Sequence, residues 1–495
     1  MFIKQVLDRD LSHVAGGRAS KRPRGAVHEV RGATGPAVRV IAVIGAGASG
    51  TLTAVHLLRR ARADVRVVLI DRKTHGPGIA YGTCDPRHLL NVRAAGMSAF
   101  DDDPDDLLRW CRDRGIHADA DDFLPRALFG EYLRGLLARF GDGDRLKLVT
   151  GAATRVAPVA NRDGLRIELA HGRALIVDAA VLAPGNSAPA PLPGVGALGP
   201  YVPDPWAPGA LARAAQARRV VIVGSGLTAV DVALSVSAAR PGIQVCAISR
   251  HGWLPRVHLR QPARVAPVPP PCDGRSGLPA LVNSISAAVS ADPRGWREVV
   301  DGLRPSTNEL WQRLSVDDRK LFMDELKPWW DVHRHRMAPA VADEVRRLQR
   351  SGVLTVHAAR FDGARSSGTG VRVEVLEQAE SRQLHADLLI NATGPSSRLC
   401  DSADPLIRRL LDGGYARPDD LGIGFACDRD GRLLGAGGTS TSRLFTIGPP
   451  RRGELPESTA IPDIRAQARA LSHALFSSVP CDRAPDRELA TTVGR

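Results

Sequence analysis

The sequence predicts an α/β fold with two parallel-sheet domains of one plan, each with a β-meander, and a helical insert in the second. Residues 40–71 have the pattern of an apolar strand, a glycine-rich turn, a helix and a second strand. Residues 219–250 repeat that order. Each unit is followed by short strand patterns, at 146–186 and at 353–395. This repetition indicates two Rossmann-like, dinucleotide-binding domains in one chain.

The first unit begins with the strand Val40–Ile44 and turns through GAGASG into a helix. Gly45 permits the tight turn, Gly47 allows a pyrophosphate to approach the backbone, and Gly50 allows close packing of helix and strand. Free N–H groups at the start of the helix are placed to hold phosphates. Asp71 ends the next strand and is placed to accept a hydrogen bond from a ribose. A plain glycine-rich turn is the alternative, but the order of the elements favours a dinucleotide site.

The second unit has the strand 219–223 followed by GSGLTA at 224–229. The position that Asp71 holds in the first unit carries Ser249, and Arg250 follows it. Without a carboxylate nothing repels a 2′-phosphate, and the guanidinium can pair with it. The second site is therefore predicted to prefer NADP(H) over NAD(H), the alternative being that Arg250 is a solvated surface residue.

Other stretches predict the remaining elements. Residues 76–100 form an apolar, glycine-bearing loop that could wrap a flat ring, and residues 102–140 have helical spacing. The expected division of the chain is a disordered basic extension at 1–37, the first part of the first dinucleotide-binding domain at 38–190, a linker at 191–217, the second domain at 218–390 with a helical insert at about 262–350, the return of the first domain at 391–480, and a tail at 481–495.

Composition narrows the partners. The formal charge is +14, but only six of the 67 basic residues are lysine, and the arginines are dispersed without interleaved aromatic residues. This pattern disfavours a nucleic-acid surface, and no apolar run is long enough to cross a membrane. Seven scattered cysteines without CxxC or metal-ligand spacing predict a reducing, cytoplasmic location and no metal site.

The insert carries an alternation of basic residues, DVHRHR at 331–336. If this stretch is helical, His333 and Arg336 share a face. Such a cluster could bind an anionic substrate or a cofactor phosphate. The alternative is a solvated basic helix face.

Several motifs together resemble the FAD/NAD(P)-binding family of bacterial flavoproteins. They include GAGASG at 45–50, HLLNV at 88–92, GSGLTAVDV at 224–232, SRHGWLPRVH at 249–258, HRHRMAP at 333–339 and ESTAIPDIRAQA at 457–468. The family is related to two-domain flavoprotein monooxygenases and is similar to flavin-dependent N-hydroxylases, including those that convert aspartate to nitrosuccinate. One departure is that Pro449 follows Gly448, where the related enzymes commonly have Asp, which leaves the ribityl contact unassigned.

The resemblance implies which residues hold the cofactors. The FAD set is Gly45, Gly47, Ala48, Ser49, Gly50, Asp71, Arg72, Tyr81, His88, Asn91, Met97, Ser98, Gly448 and Thr459. The NADPH set is Gly224, Gly226, Leu227, Thr228, Ser249 and Arg250, with Thr393 at a crossover between domains.

The activity implied is that of an NADPH-dependent FAD monooxygenase. It would use O2 and a flavin C4a-hydroperoxide to oxygenate a small nucleophile, most plausibly by N-hydroxylation of an amine or amino acid. Arg334, His335 and Arg336 are the candidate catalytic residues, on the substrate or nicotinamide side. Two alternatives stay open, an NADPH reductase or dehydrogenase with an acceptor other than oxygen, and a non-catalytic flavin-binding sensor. The sequence does not exclude a homo-oligomer.

Overall fold

A computed structural model describes most of the chain. The described residues are 38–60, 65–73, 75–141, 143–160, 163–196, 198–261, 277–291, 295–396 and 398–478. The predicted extension at 1–37, the tail at 481–495 and the Pro-rich start of the insert lie outside them.

The strands are β1 Arg39–Ile44, β2 Val65–Asp71, β3 Leu146–Thr150, β4 Ala153–Pro158, β5 Leu165–Leu169, β6 Ala174–Val177, β7 Ala179–Leu182, β8 Tyr201–Val202, β9 Arg219–Val223, β10 Gln244–Ser249, β11 Leu354–Ala358, β12 Arg360–Ser367, β13 Gly370–Glu377, β14 Glu380–Ala386, β15 Leu388–Asn391, β16 Arg432–Leu434 and β17 Ser440–Thr446. The α-helices are α1 Ala48–Arg60, α2 Gly78–Tyr81, α3 Asp106–Arg112, α4 Arg126–Phe140, α5 Leu227–Ala239, α6 Gly277–Ala291, α7 Trp296–Gly302, α8 Thr307–Arg313, α9 Val316–Leu321, α10 Lys327–Arg334, α11 Pro339–Arg350, α12 Pro405–Asp412 and α13 Ile461–Ser478.

Two open sheets have matching strand orders. The first runs β16-β17-β7-β1-β2-β3 and is parallel except for β16, while the second runs β11-β10-β9-β15-β8 and is parallel throughout. Thus β1, β2, β3 and β7 correspond to β9, β10, β11 and β15. The mixed α/β class with two doubly wound sheets is confirmed.

Each sheet carries a three-stranded antiparallel meander, β4-β5-β6 or β12-β13-β14. The sequence pattern predicts one strand across 174–182, but Asp178 divides it into β6 and β7. The Asp178 carboxylate accepts a hydrogen bond from Val40 N at 2.7 Å, at the start of β1. In the second domain Asp387 does the same, accepting from Arg218 N and Arg219 N at the start of β9. The carboxylate thus fixes the point where the meander returns to the main sheet.

The C-terminal segment completes the first domain. β17 pairs in parallel with β7, and α13 packs on the same side as α1 and α4, where Leu52, Leu133 and Leu471 share one buried core. The loop at 76–100 joins this core instead of facing solvent, since Leu90, Met97 and Phe100 are buried in it. Apolar content in that loop is therefore explained by packing.

Two helical expectations need correction. Residues 102–140 do not form one helical stretch, because α3 ends at Arg112, Gly115 follows at φ 69° and Pro125 precedes α4. A glycine at positive φ is a common end for a helix. In the insert, α10 ends at Arg334, so Arg336 does not share a helix face with His333.

The segment 191–217 was expected to be a linker, yet it forms part of the second domain. Tyr201–Val202 is the edge strand β8, paired in parallel with β15, and Ala214 and Ala217 are buried beside β9 residues. No helix among the described residues is long and apolar enough to cross a membrane.

Exchanging glycine and alanine at the last position of the two turns will separate the effect of packing from that of helix propensity. A Cβ on Gly50 would lie 1.7 Å from Gly45 O, whereas Ala229 already occupies the corresponding place in the second turn. We expect Gly50→Ala to lower the free energy of unfolding by about 1–3 kcal/mol or more through overpacking. The matched variant Ala229→Gly will cost about 1 kcal/mol of helix propensity. Urea unfolding followed by circular dichroism measures both, and equal stability of Gly50→Ala and the parent would refute the packing argument.

Candidate functional site

The two glycine-rich turns occupy equivalent positions. Each turn follows a strand inside its sheet, β1 or β9. The chain goes from this strand to its neighbour on one side, β2 or β10, and only later returns to its neighbour on the other side, β7 or β15. Ligands of doubly wound sheets bind in the crevice at this switch point, beyond the carboxyl ends of the strands. Both turns therefore lie where a dinucleotide is expected.

The two turns make equivalent backbone hydrogen bonds. Gly45 N donates to Ile70 O at 2.8 Å, and Gly224 N donates to Ile248 O at 2.8 Å. A Cβ on Gly45 would lie 2.1 Å from Ala183 O. A Cβ on Gly224 would similarly lie 2.3 Å from the carbonyl oxygen of Ala392, and both glycines have positive φ. Glycine is required at each, because the crossover strand passes directly against the turn.

The first turn is partly enclosed by other backbone. Gly78, at φ 57°, packs so closely on Gly47 that a Cβ there would lie 2.8 Å from Gly47 Cα. Asp71 stands at the end of β2, and its carboxylate accepts a hydrogen bond from Ala46 N at 2.7 Å. Gly47 and Ala48 remain partly exposed at the start of α1. A carboxylate beside accessible helix N–H groups fits the ribose and pyrophosphate of a dinucleotide.

The second turn is open. A Cβ on Gly226 would meet nothing within 4 Å, so space for a bound group exists at the start of α5. Ser225 Oγ lies 2.7 Å from Ser249 Oγ, where the first domain has the Asp71 contact. Arg250 is exposed and has no hydrogen bond or ion pair with any described residue. The guanidinium is thus free to meet an anion at the end of β10. Leu227 and Thr228 follow the turn and are partly exposed.

The C-terminal loop covers the first turn. Gly448, at φ 77°, stands so near α1 that a Cβ would lie 2.4 Å from Ser49 Oγ, and its N–H donates to Gln467 Oε1 at 3.0 Å. Thr459, farther along the loop, is exposed. The structure therefore brings Gly448 and Ser49 together, as expected for residues that close one site.

The helical insert contacts this loop and the start of α13 at several points. Trp311 Nε1 donates to Gly453 O at 2.8 Å. Arg334 forms a two-point ion pair with Glu457, at 3.0 and 2.5 Å, in which both side chains are almost fully buried. Arg304 pairs with Asp463 at the start of α13. An insert in the second domain thus positions the closing loop of the first.

The three candidate catalytic residues do not converge on one point. Arg334 is committed to Glu457, and His335 lies 3.4 Å from the Asp331 carboxylate. Arg336 is buried, pairs with Asp301, and lies 5.8 Å from the ring of Trp296. Both guanidiniums of Arg334 and Arg336 are paired with a carboxylate from another element, although the buried Nε of Arg336 has no hydrogen-bond partner among the described residues. The sequence pattern could not show these partners.

His88 lies between the two domains. Its Nε2 is 2.9 Å from Ser235 Oγ and 3.1 Å from Asp231 O on α5, and its ring is buried. Arg126 pairs with the buried Asp231 carboxylate at 2.7 Å, and burial raises the pKa of Asp231 while the Arg126 charge opposes the rise. Ser235 Oγ also donates to Asp85. The geometry makes His88 a contact between domains.

The other residues expected near the flavin ring make contacts within the protein, through the backbone in one case and by burial of the side chain in others. Asn91 O accepts from His258 Nε2 at 3.0 Å, and burial lowers the pKa of His258 to about 3, so its ring is neutral. Met97 and Ser98 are buried, and Ser98 Oγ donates to Asp103 O. Tyr81 packs edge-on against Phe129, and burial raises its pKa to about 12.

Two expected residues lie at the rim. Arg72 is exposed and pairs with Asp404, while Thr393 is exposed and its hydroxyl donates to Asn391 Oδ1 at 2.7 Å.

The described residues contain no cluster of His, Cys, Asp and Glu that could hold a metal ion. Glu457, Trp311 and Asp231 were missed from sequence. Of these three, only Glu457 could have been noticed in the sequence, as an acidic residue in ELPESTA. The partners of all three lie far away in the chain.

Comparisons with known proteins agree with this architecture. A family model described as FAD-NAD(P)-binding matches residues 42–187, from β1 to just beyond β7. The resemblance to FAD/NAD(P)-binding flavoproteins is confirmed over this range. A search of curated protein sequences found no match.

Solved structures match nearly the whole chain. An ornithine N-hydroxylase of Kutzneria sp. 744, solved with reduced FAD, NADP+ and L-ornithine, has a TM-score of 0.63 at 18% identity, covering 89% of this chain and 99% of that one. The L-lysine 6-monooxygenase of Pseudomonas syringae has 0.61 at 15%, covering 89% and 99%. The cadaverine monooxygenase of Erwinia amylovora, bound to FAD, has 0.62 at 12%, covering 92% and 99%. These likenesses show a shared fold.

Breaking the Arg334–Glu457 pair will test whether it is structural. Arg334→Met leaves the buried Glu457 carboxylate unpaired, and we expect a loss of about 3–5 kcal/mol in the free energy of unfolding. The double variant with Glu457→Leu will recover much of this loss. The exposed pair Arg313–Glu309 supplies the control, since Arg313→Met will change stability by less than about 1 kcal/mol. Chemical denaturation of the parent, Arg334→Met, Glu457→Leu and the double variant measures the cycle, and Arg313→Met is measured beside them. An unchanged stability of Arg334→Met would instead leave Arg334 free for substrate.

Proposed function

We propose that this chain is an NADPH-dependent FAD monooxygenase that oxygenates a small nucleophilic substrate, by N-hydroxylation of an amine or amino acid. The observation that carries the proposal is the pair of equivalent strand–turn–helix–strand units. One ends in Asp71, and the other is followed by Arg250, which makes no hydrogen bond or ion pair with the described residues. A carboxylate suits a ribose hydroxyl, and a free guanidinium suits a 2′-phosphate. The family match over 42–187 and the shared fold with three amine-hydroxylating enzymes support the same assignment.

The residues fit both cofactors. In the proposal, the first turn and Asp71 hold FAD, and Gly448 closes the site against Ser49. Gly226 and Arg250 hold NADPH. When bound, FAD would take a hydride from NADPH and activate O2 for transfer to the substrate. The further assignments of Ala48, Tyr81, Asn91, Thr228 and Thr393 remain part of the proposal.

The protein's own contribution is to position groups and exclude water. The His88 and Asp231 contacts fix the second domain against the first, so the open turn keeps one orientation to the enclosed one. The Arg334–Glu457 pair holds the closing loop over the first turn. Preorganised surroundings of this kind protect a reactive cofactor from solvent. No side-chain nucleophile is required.

We extend the proposal to partners and location. Small-molecule substrate and O2 are the partners, and the scattered cysteines favour a cytoplasmic location. The five cysteines in the described residues are all free. Because the sequence also has no CxxC pair, dithiol reduction lacks its usual residues.

Flavin reduction and oxygen use test the function directly. We expect the purified protein to be yellow, to lose its flavin absorbance on anaerobic mixing with NADPH, and to consume O2 when air is admitted. An amine substrate will increase oxygen uptake and decrease peroxide release. Stopped-flow absorbance and an oxygen electrode make the measurement. Rapid bleaching without oxygen use would support a reductase, and no bleaching at all would support a non-catalytic flavin protein.

Arg250 tests the second cofactor. Arg250→Ala removes a charged partner of the 2′-phosphate, a loss of about 1.5–3 kcal/mol, so the preference for NADPH over NADH should fall roughly 10- to 150-fold. The measurement is the ratio of kcat/KM for the two nucleotides in flavin reduction. Arg218→Ala is the matched control, because Arg218 is also exposed but lies before β9, at the opposite end of the sheet. An unchanged ratio for Arg250→Ala would refute the assignment.

A further inference from the structure

A cavity of about 290 Å³ lies between the helical insert and the segment that follows β10. Trp296, Arg297 and Val300 of α7 form one wall, and Trp329 and His333 of α10 form another. Arg256 closes it from the segment after β10. None of the candidate cofactor or catalytic residues lines it.

The polar part of the wall is cationic. Arg256 is exposed and makes no side-chain hydrogen bond or ion pair with the described residues. Arg297 donates only to the backbone, from Nε to Val257 O at 3.1 Å. Burial and the neighbouring Arg256 charge lower the pKa of Arg297, with Asp301 opposing. Among the described residues that line the cavity none is acidic, and the Arg256 charge disfavours the charge on Arg297.

The imidazole in the same wall responds to this charge. Burial and the cations Arg256, Arg336 and Arg297 lower the pKa of His333, whose Nδ1 lies 2.8 Å from Trp329 O. Two or more cations around one cavity favour an anionic ligand, and guanidiniums bind carboxylate or phosphate with two parallel hydrogen bonds.

The remaining wall is apolar, formed by two tryptophans together with Val289 and Val300. The indoles of Trp296 and Trp329 both contact His333, with ring centroids 4.9 and 4.4 Å from it. Trp329 is 41% exposed, so part of its apolar ring surface is accessible to a ligand. A cavity of about 150 Å³ already admits a benzene ring. The present volume accommodates a ring together with an acid group.

The cavity is joined to the candidate site by a short stretch of backbone. Arg256 N donates to Val332 O, Met337 N donates to Arg256 O at 2.7 Å, and His258 contacts Asn91 O two residues later. Asn91 belongs to the set expected beside the flavin ring. A ligand held in the cavity therefore contacts the same segment that touches this set.

We propose that the cavity binds an anionic group carried on an apolar, ring-sized body, with Arg256 and Arg297 holding the anion and Trp296 and Trp329 the body. The inference that this ligand is the acid end of the amine substrate rests on the proposed monooxygenase function. The substrate is then an amine that also bears a carboxylate or phosphate.

Calorimetric titration of the full, FAD-loaded chain tests the proposal with isosteric probes. We expect phenylacetate to bind at least about tenfold more tightly than the neutral phenylacetamide or the cationic phenethylamine, because only the anion pairs with both guanidiniums. Acetate, which lacks the ring, will bind weakly. Tighter binding of phenyl phosphate than of phenylacetate would identify phosphate as the anion. Equal affinity for the three phenyl probes, or equal affinity for acetate and phenylacetate, would overturn the proposal.

Variants place the binding in this cavity. Arg256→Gln will weaken phenylacetate binding about tenfold, and we expect the fold to persist because the Arg256 side chain makes no hydrogen bond or ion pair with the described residues. Arg260→Gln is the control, since Arg260 is 77% exposed, lies four residues on, and pairs with Asp343 outside the cavity. Unchanged affinity in Arg256→Gln would overturn the assignment. The titration does not depend on turnover. Phenylacetate binding in a protein whose flavin NADPH does not reduce would therefore reject the monooxygenase proposal and leave the anion-binding cavity standing.

Discussion

The close approach of the crossover strand to each glycine turn is the constraint on which the rest depends. Ala183 O and Ala392 O occupy the space where Gly45 and Gly224 would carry a Cβ. This contact fixes β7 beside β1 and β15 beside β9, and so creates the switch point in each sheet. A side chain at either glycine would push the crossover away and close the crevice. The fold and the nucleotide sites therefore arise from one steric requirement.

Chain connectivity adds a second level of dependence. The first sheet is completed only by β17, which is separated from β7 by the whole second domain. The insert of that domain then holds the loop after β17 through Trp311 and through the Arg334–Glu457 pair. Buried ion pairs contribute little net stability but fix geometry, because breaking one leaves an unpaired charge. Arg334 of the HRHR motif therefore positions the loop that covers the first turn.

The sequence predicted the features that depend on local chain order. Gly45, Gly50, Asp71 and Arg250 stand in strand–turn–helix–strand units, so spacing alone places them. The contacts of His88 and Arg336 could not be predicted, because their partners are brought together only by folding. His88 meets α5, 143 residues away at Asp231 O, and Arg336 meets Asp301 from another helix. An exposed-looking basic pattern does not reveal a distant carboxylate.

The two turns differ in a way that suits different ligands. The first is covered by Gly78 and by Gly448, and its Asp71 is already held by Ala46 N. The second leaves Gly226 in open space and Arg250 unpaired. A covered turn retains its ligand because release requires the loop held by Glu457 to move, whereas an open turn allows rapid exchange. Under the proposed function, FAD stays bound through successive turnovers and the nicotinamide nucleotide enters and leaves.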